Sequence, residues 1–235
     1  MKNLLLDKLS PQDHRRLDPH LKRISFKQHH VLFQADDRIR LVYFPLSAVI
    51  SLVTTLSTGE MIEGAMVGRD GAVGVSAALD GKISLSQAIV QLAGDIMICD
   101  SDALKSAALE STQLLSLLIR HEQTMYAQAQ QSAACFAAHH VQSRLSRWLL
   151  RARDLSGSNT LSFTQEYLAE MLGVRRTSVT VVAHTLQAAG FISYSRGRIQ
   201  ILNAEGLQES ACECYETIKG HYAKLLGPSP EPSNS

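Results

Sequence analysis

The 235-residue chain is poor in cysteine and proline, and it contains no long uninterrupted apolar run. Its four cysteines are scattered, which excludes the dense disulfide framework of small secreted domains. No segment approaches the ~20 apolar residues that cross a bilayer. The start, from Met1 to Asp7, is apolar only through its leucines, unlike a signal peptide. A cytoplasmic protein without membrane contact is therefore expected.

A strong net charge is also missing, because 23 Lys+Arg and 22 Asp+Glu give +1. This balance excludes a uniformly basic coat protein, but it conceals a local excess. Residues 140–200 carry eight arginines and three acidic residues. Arginine suits bidentate contact with phosphates and base edges, so this region is a candidate nucleic-acid footprint. The charge pattern alone is also compatible with a charged, solvent-exposed face that binds no nucleic acid.

The first part of the chain has a β pattern. Short β-branched and aromatic runs recur from Val31 to Ile98, separated by Gly- and Asp-containing turns. Many short strands at regular spacing indicate an antiparallel barrel or roll. Before them, Ser10 and Pro11 predict the start of a helix over Gln12 to Leu21.

The period changes around Asp102, and no proline or glycine occurs from there to Asp154. A heptad seam predicts a long helix with a dimer interface, and packing on the chain's own β-domain is the alternative. A second amphipathic helix is predicted from Val141 to Asp154, with Ala138 to His140 as the hinge. The seam consists of Leu115, Leu118, Glu122, Met125, Ala129, Ser132 and Phe136.

Residues 160–202 predict a helix–turn–helix followed by a β-hairpin wing. Thr164 caps a helix from Gln165 to Leu172, Gly173 ends it, and the next helix opens at Arg175. The polar face of that second helix can enter a DNA major groove, and the hairpin has a basic tip at 196–198. A winged helix used only for protein contact is the alternative. The predicted DNA contacts are Thr164, Arg175, Arg176, Thr177, Ser178, Thr180, His184, Arg196 and Arg198.

The segment from Thr164 to Val179 resembles the helix–turn–helix of the Crp/Fnr superfamily of bacterial transcription regulators, and the order of parts resembles that family over nearly the whole chain. The resemblance implies an α+β fold. It predicts an N-terminal antiparallel β-roll (a double-stranded β-helix, cyclic-nucleotide-binding-like) over 1–110, a dimerisation helix and hinge over 111–139, and a winged helix-turn-helix DNA-binding domain over 140–226. The Pro/Ser-rich tail, 227–235, is expected to be disordered. The family implies a homodimer on near-palindromic double-stranded DNA, and contact with RNA polymerase if the protein is an activator.

The sequence also departs from the family pattern. Thr177 stands where the recognition helix usually has an acidic residue, and Val181 replaces a common second arginine. A different operator is therefore expected, because threonine cannot make the carboxylate's charge-assisted contact with cytosine. In the predicted β-roll, the segment from Gly68 to Val75 is the one nearest the family's cyclic-phosphate cassette. It lacks the family's glutamate for the ribose and arginine for the phosphate, so cyclic AMP is not an expected ligand.

An unknown small-molecule effector would use Glu63, Arg69, Ser86 and Gln87. Arg69 and Asp70 are otherwise expected to be turn residues paired with each other. The alternative is an effector-independent regulator or scaffold whose β-roll binds a protein partner. A polar pocket inside the roll would favour the effector, and a roll filled by side chains would favour the alternative.

No cofactor or metal is expected. The first cysteine is Cys99, which excludes the N-terminal cysteine group of the family's iron–sulfur branch. Cys212 and Cys214 with His221 offer too few ligands for a closed zinc site. The adjacent pairs His29–His30 and His139–His140 have diverging rings, and no residue points to haem.

An enzyme is not expected either. The glycine-rich segment from Val67 to Val75 lacks the Gly-Lys-[Ser/Thr] of a phosphate loop, and no convincing βαβ unit surrounds it. The sequence contains no serine nucleophile elbow and no His-Glu-x-x-His motif. No catalytic constellation is assembled.

Overall fold

The structure is a computed structural model that describes residues 2–227, so the tail predicted to be disordered lies outside the described residues except for Gly227. Among the described residues, no helix has the length and apolar character needed to span a membrane. The fold is α+β, with an antiparallel β-domain, a long helix and a C-terminal helix–turn–helix with a small sheet. This arrangement confirms the predicted fold class.

The β-domain consists of two antiparallel sheets with the strand orders β1-β7-β3 and β2-β6-β4-β5. A short 3-10 helix, Val75–Leu79, lies between β5 and β6. The first strand was not predicted, because it is an edge strand whose polar residues leave it largely exposed. The strands are β1 Lys22–Phe26, β2 Val31–Phe33, β3 Leu41–Pro45, β4 Val49–Thr55, β5 Met61–Val67, β6 Gln87–Leu92 and β7 Gly94–Asp100.

Helix α1, Pro11–Leu17, is shorter than predicted. The Ser10 hydroxyl oxygen accepts a hydrogen bond from the Asp13 amide at 3.1 Å, which confirms Ser10 as the N-cap. The helix gives way to a 3-10 turn over Asp18–His20, since Pro19 cannot donate a helical hydrogen bond.

Three helices follow the β-domain: α2 Ser101–Leu109, α3 Thr112–Ala138 and α4 Val141–Ser156. A break at residues 110–111 separates α2 from α3, and Ser111 caps α3 through the Leu114 amide. Helix α3 therefore has 27 residues, and His139 and His140 form its junction with α4.

The C-terminal domain contains two helices of the helix–turn–helix, a three-stranded sheet of order β8-β10-β9, and two further helices. The last helix returns to pack along α3 through Ile218, Tyr222 and Leu226. These elements are β8 Thr160–Ser162, α5 Gln165–Leu172, α6 Arg176–Ala188, β9 Ile192–Ser195, β10 Arg198–Ile201, α7 Ala204–Ser210 and α8 Cys214–Leu226.

The sheet containing β4, β5 and β6 is apolar on both faces. Its inner face, with Ile50 and Val90, fills the interior of the roll. Its outer face, with Val53 and Met66, joins the core of the C-terminal domain around Trp148. The two halves of the chain therefore share a buried interface.

Candidate nucleic-acid interface

The helix–turn–helix follows from local sequence signals. The Thr164 hydroxyl oxygen accepts a hydrogen bond from the Tyr167 amide at 3.2 Å, and α5 begins at the next residue. Gly173, at φ +59°, ends α5 in the left-handed conformation that glycine adopts without strain. Leu168 and Leu186 are buried between the two helices and the rest of the domain. The predicted bounds of α5 are confirmed.

Helix α6 presents an exposed face made by Thr177, Val181 and His184, which are spaced by four and three residues. Val181 was not among the predicted contacts, although it is 66% exposed and lies on the same face as Thr177. The signal for it was the i, i+4 spacing. Arg176, the first residue of α6, is also exposed, and its guanidinium lies 3.7 Å from the Glu166 carboxylate.

One predicted contact on α6 has a role within the motif. Thr180 is half-buried, and its hydroxyl lies 2.6 Å from the Gln165 side-chain oxygen, to which it donates. This hydrogen bond links α6 to α5, so the Thr180 hydroxyl is not free to donate to a base. Ser178 is half-buried, whereas Arg175, at the N-cap position of α6, is exposed.

The wing is a two-residue hairpin. Arg196 at φ +49° and Gly197 at φ +76° form the turn, as expected for the primed turns that match strand twist. Arg198 was predicted to lie at the tip, but it is the first residue of β10, opposite Ser195 and Ser162. Both arginines are exposed.

Three of the four arginines of α4 do not belong to the basic footprint predicted from charge. Arg144, Arg147 and Arg151 are all buried. The Arg151 guanidinium lies 2.7 Å from the Asp70 carboxylate, so Asp70 pairs with α4 rather than with Arg69. Because these cations are committed inside the chain, the exposed positive charge of this region lies mainly on Arg175, Arg176, Arg196 and Arg198.

Glu63, a predicted effector contact, points away from the interior of the roll. It is buried against α4, where its carboxylate accepts hydrogen bonds from Ser51 and, at 2.9 Å, from the Trp148 indole. Burial raises the pKa of Glu63 to about 7, despite these hydrogen bonds and the nearby arginines. Val53 pairs with both Glu63 and Gln87, so these residues form one row across the sheet.

The other two predicted effector residues lie elsewhere. Ser86 is in a turn, where its carbonyl accepts a hydrogen bond from the Ser84 hydroxyl at 2.6 Å. The carbonyl of Arg69 accepts one from the Leu4 amide. The four residues therefore do not converge on one pocket inside the roll, whose interior is filled by apolar side chains. A cleft of about 470 Å³ lies instead between β5 and the helix–turn–helix, beside Glu60, Glu170 and Arg175.

Helix α3 has one face covered by its own chain and one face free. Part of the predicted dimer seam lies on the covered side, since Leu118 and Ser132 are buried within the chain. Leu115, Glu122, Met125 and Phe136 are half-buried, and Ala129 is exposed. A continuous exposed stripe runs one residue further along: Ser116, Ile119, Gln123, Tyr126, Gln130, Ala133 and Ala137.

One further group of side chains was not predicted. Cys135, His139, Cys212 and Cys214 lie together, with their donor atoms all within 4.8 Å of one another. The available signal was the i, i+4 spacing of Cys135 and His139 on one helix. His221, considered with the Cys-x-Cys pair, does not belong to this group.

Residues 143–210 match the family described as the Crp-like helix-turn-helix domain. The fold resembles that of FixK2 from Bradyrhizobium japonicum, with a TM-score of 0.70 and 16% identity over 82% of this chain and 98% of that one. A putative Crp/Fnr-family regulator from Eubacterium rectale gives a TM-score of 0.66 and 18% identity over 88% of this chain and 98% of that one. A CRP/FNR-family regulator from Thermus thermophilus gives a TM-score of 0.64 and 24% identity over 81% of this chain and 98% of that one.

A comparison with curated protein sequences gives no significant match. The structural likeness extends over most of the chain, and the sequence match covers its helix–turn–helix. Residues 143–210 therefore form a Crp-like helix–turn–helix domain, and most of the chain has the fold of Crp/Fnr-family regulators.

Proposed function

We propose that the protein is a homodimeric, sequence-specific transcription regulator that binds a near-palindromic operator. The observation that carries this proposal is the convergence of α6, the start of α5 and the wing on one exposed surface. Thr180 of α6 contacts Gln165 of α5, and the wing turn at Gly197 lies against Thr164. The exposed arginines at 175, 176, 196 and 198 surround this surface, which suits a polyanion.

In the proposed complex α6 enters the major groove. Arg176 would donate to guanine O6 and N7, and Thr177 and Val181 would contact bases, including thymine methyl groups. To do so Arg176 must leave Glu166, a small cost of about 1 kcal/mol or less because both groups are well exposed. Thr164, Arg175, Ser178 and His184 would contact phosphates, with Arg196 and Arg198 on the flanking backbone or minor groove.

The free stripe of α3 is the proposed dimer interface. Its members follow heptad spacing, and Ile119 and Tyr126 are 52% and 66% exposed, which is unusual for large apolar side chains at regular positions. The small residues Ala133 and Ala137 would let the two helices approach closely near the hinge. Such a dimer would place its two recognition helices about 34 Å apart, one turn of DNA.

Regulation would act through the interface between the β-domain and α4. Glu63 with Trp148, and Asp70 with Arg151, are buried polar contacts that fix this interface. An effector must bind two poses of the domains differently to shift their balance. The apolar filling of the roll favours the second candidate, a regulator controlled by a protein partner or by its own abundance rather than by a small molecule in the roll. We place it in the cytoplasm, with RNA polymerase as a partner if it activates.

The decisive experiment is selection of random duplex DNA with the purified, ligand-free protein, followed by sequencing of the bound pool. We expect a near-palindrome with half-sites about 10 bp apart. Binding without any motif, in the absence and presence of cell extract, would refute the proposal.

The dimer is tested by light scattering. Tyr126→Glu should give monomers, because it puts charge in the stripe. Leu109→Glu is the matched control, since Leu109 is 72% exposed but lies on α2, and it should remain dimeric. A dimeric Tyr126→Glu that still selects the palindrome would exclude this interface.

A further inference from the structure

Three cysteines and one histidine meet where α3 ends. Cys135 lies in the last turn of α3, and His139 is the C-cap residue of the same helix. Cys212 lies in the connection between α7 and α8, and Cys214 is the first residue of α8. The three cysteines are buried, and the His139 side chain is 23% exposed.

Two of the distances between donor atoms lie close to those of a mononuclear tetrahedral centre. The Sγ atoms of Cys135 and Cys212 are 3.5 Å apart, and Cys214 Sγ is 3.6 Å from His139 Nδ1. Zinc–sulfur bonds of about 2.3 Å and zinc–nitrogen bonds of about 2.0 Å in a tetrahedron require S···S of about 3.8 Å and S···N of about 3.5 Å. A cubane iron–sulfur cluster would need wider spacing, because each cysteine then binds a different iron.

The groups around the four side chains are those that support metal ligands. His139 Nε2 lies 3.1 Å from the Glu213 carboxylate, which would hold the ring with Nδ1 deprotonated and directed at the cysteines. The Gln131 amide donates to Cys214 Sγ at 3.0 Å, as to a thiolate. Arg144 and Arg147 bring positive charge close to Cys135, which would offset the net −1 of three thiolates around a dication.

We propose that Cys135, His139, Cys212 and Cys214 form a structural zinc site that fastens the α3–α4 junction to the start of α8. Cysteine and histidine donors in tetrahedral arrangement select Zn²⁺ over harder cations, and four protein ligands leave no open position for catalysis. The site would tie the hinge of the long helix to a helix that packs back along it. This inference does not depend on the proposed operator binding.

The first test measures zinc in untagged protein after dialysis under reducing conditions. We expect one zinc per chain, and one equivalent of Co²⁺ added to the metal-free protein should give the thiolate-to-cobalt charge-transfer band and intense visible bands of a tetrahedral site. Absence of both, or a Cys135–Cys212 disulfide in protein that takes up neither metal once reduced, would overturn the proposal.

Neighbouring histidines provide a matched pair of variants. His139→Gln should lose zinc affinity, whereas His140→Gln should retain it, because His140 is exposed and makes no capping hydrogen bond. Glu213→Gln should weaken zinc affinity about 10–100-fold, as outer-shell changes do. Equal zinc retention in His139→Gln and His140→Gln would exclude His139 as a ligand and refute the site.

A measurement on the unaltered protein covers the case in which His139→Gln does not fold. Chelation of zinc should speed amide hydrogen exchange in α8 by at least about tenfold relative to β4, since the start of α8 would lose its anchor. Unchanged exchange in α8 on complete zinc removal would contradict the fastening role.

Discussion

Substitution of Glu63 by glutamine should change how stability depends on pH. Glu63 is buried between β5 and α4, and burial raises its pKa from the ordinary value of 4.5 to about 7. The folded protein therefore keeps a proton on Glu63 at pH values where the unfolded chain has released it. The contribution of Glu63 to the free energy of unfolding is therefore fully present below about pH 4.5, and it is lost as the pH rises to about 7. Glutamine removes this dependence because it does not titrate.

The size of the effect follows from the rise in pKa. Each pH unit corresponds to about 1.4 kcal/mol, so a rise from 4.5 to about 7 gives about 3 kcal/mol. Between pH 4.5 and pH 8, the free energy of unfolding of the unaltered protein should therefore fall by about 3 kcal/mol relative to that of Glu63→Gln. The pKa of Glu63 rises because desolvation outweighs the hydrogen bonds from Ser51 and Trp148.

Urea unfolding at several pH values and one fixed protein concentration measures this difference. Glu60→Gln is the matched control on the same hairpin, since Glu60 is exposed and should leave the pH dependence unchanged. Trp148 is the only tryptophan and donates to Glu63, so its fluorescence should titrate near pH 7. Parallel stability curves for the unaltered protein and Glu63→Gln, with flat fluorescence from pH 5.5 to 8.5, would refute the reasoning.

Three further predictions concern arginines and their partners. Arg176→Ala should weaken operator binding by about 1–3 kcal/mol and relax base choice at one position per half-site, seen by repeating the selection. Arg198→Ala should weaken binding to all sequences alike and flatten the salt dependence, because its expected partner is the backbone. Asp70→Ala should lower the free energy of unfolding by about 3–5 kcal/mol, since it leaves Arg151 charged and buried without its partner.

For each of these three variants, a specific outcome distinguishes the proposed role from a general loss of folding. Undiminished discrimination at every operator position would exclude Arg176 as a base contact, and altered base preference with an unchanged salt slope would exclude the backbone role of Arg198. For Asp70, the control is Asp102→Ala, which breaks the exposed pair with Lys82 and should change stability by less than about 1 kcal/mol. Similar losses in both variants would show that burial does not set the value of the Asp70 pair.

Elements whose signals lie within a few residues were predictable. Ser10 and Thr164 cap helices through amides three residues away, and Gly173 ends α5 through its own backbone freedom. The helix–turn–helix could be predicted for this reason, since its caps, apolar spacing and turn are all local. The edge strand β1 could not, because an exposed strand with few apolar residues has no distinctive pattern.

Local propensity and periodicity encode the order of the β-domain, the long helix and the helix–turn–helix, and they encode the residue types of the predicted DNA-binding surface. These features, and with them the family resemblance, could be predicted from the sequence. Packing between elements that are distant in sequence sets which charged side chains face solvent and which face of α3 is free. Glu63 meets Trp148 across 85 residues, and Cys135 meets Cys212 across 77. Such contacts depend on how whole elements pack, so neither the burial of Arg144, Arg147 and Arg151 nor the meeting of α3 with Cys212 and Cys214 could be predicted from neighbouring residues.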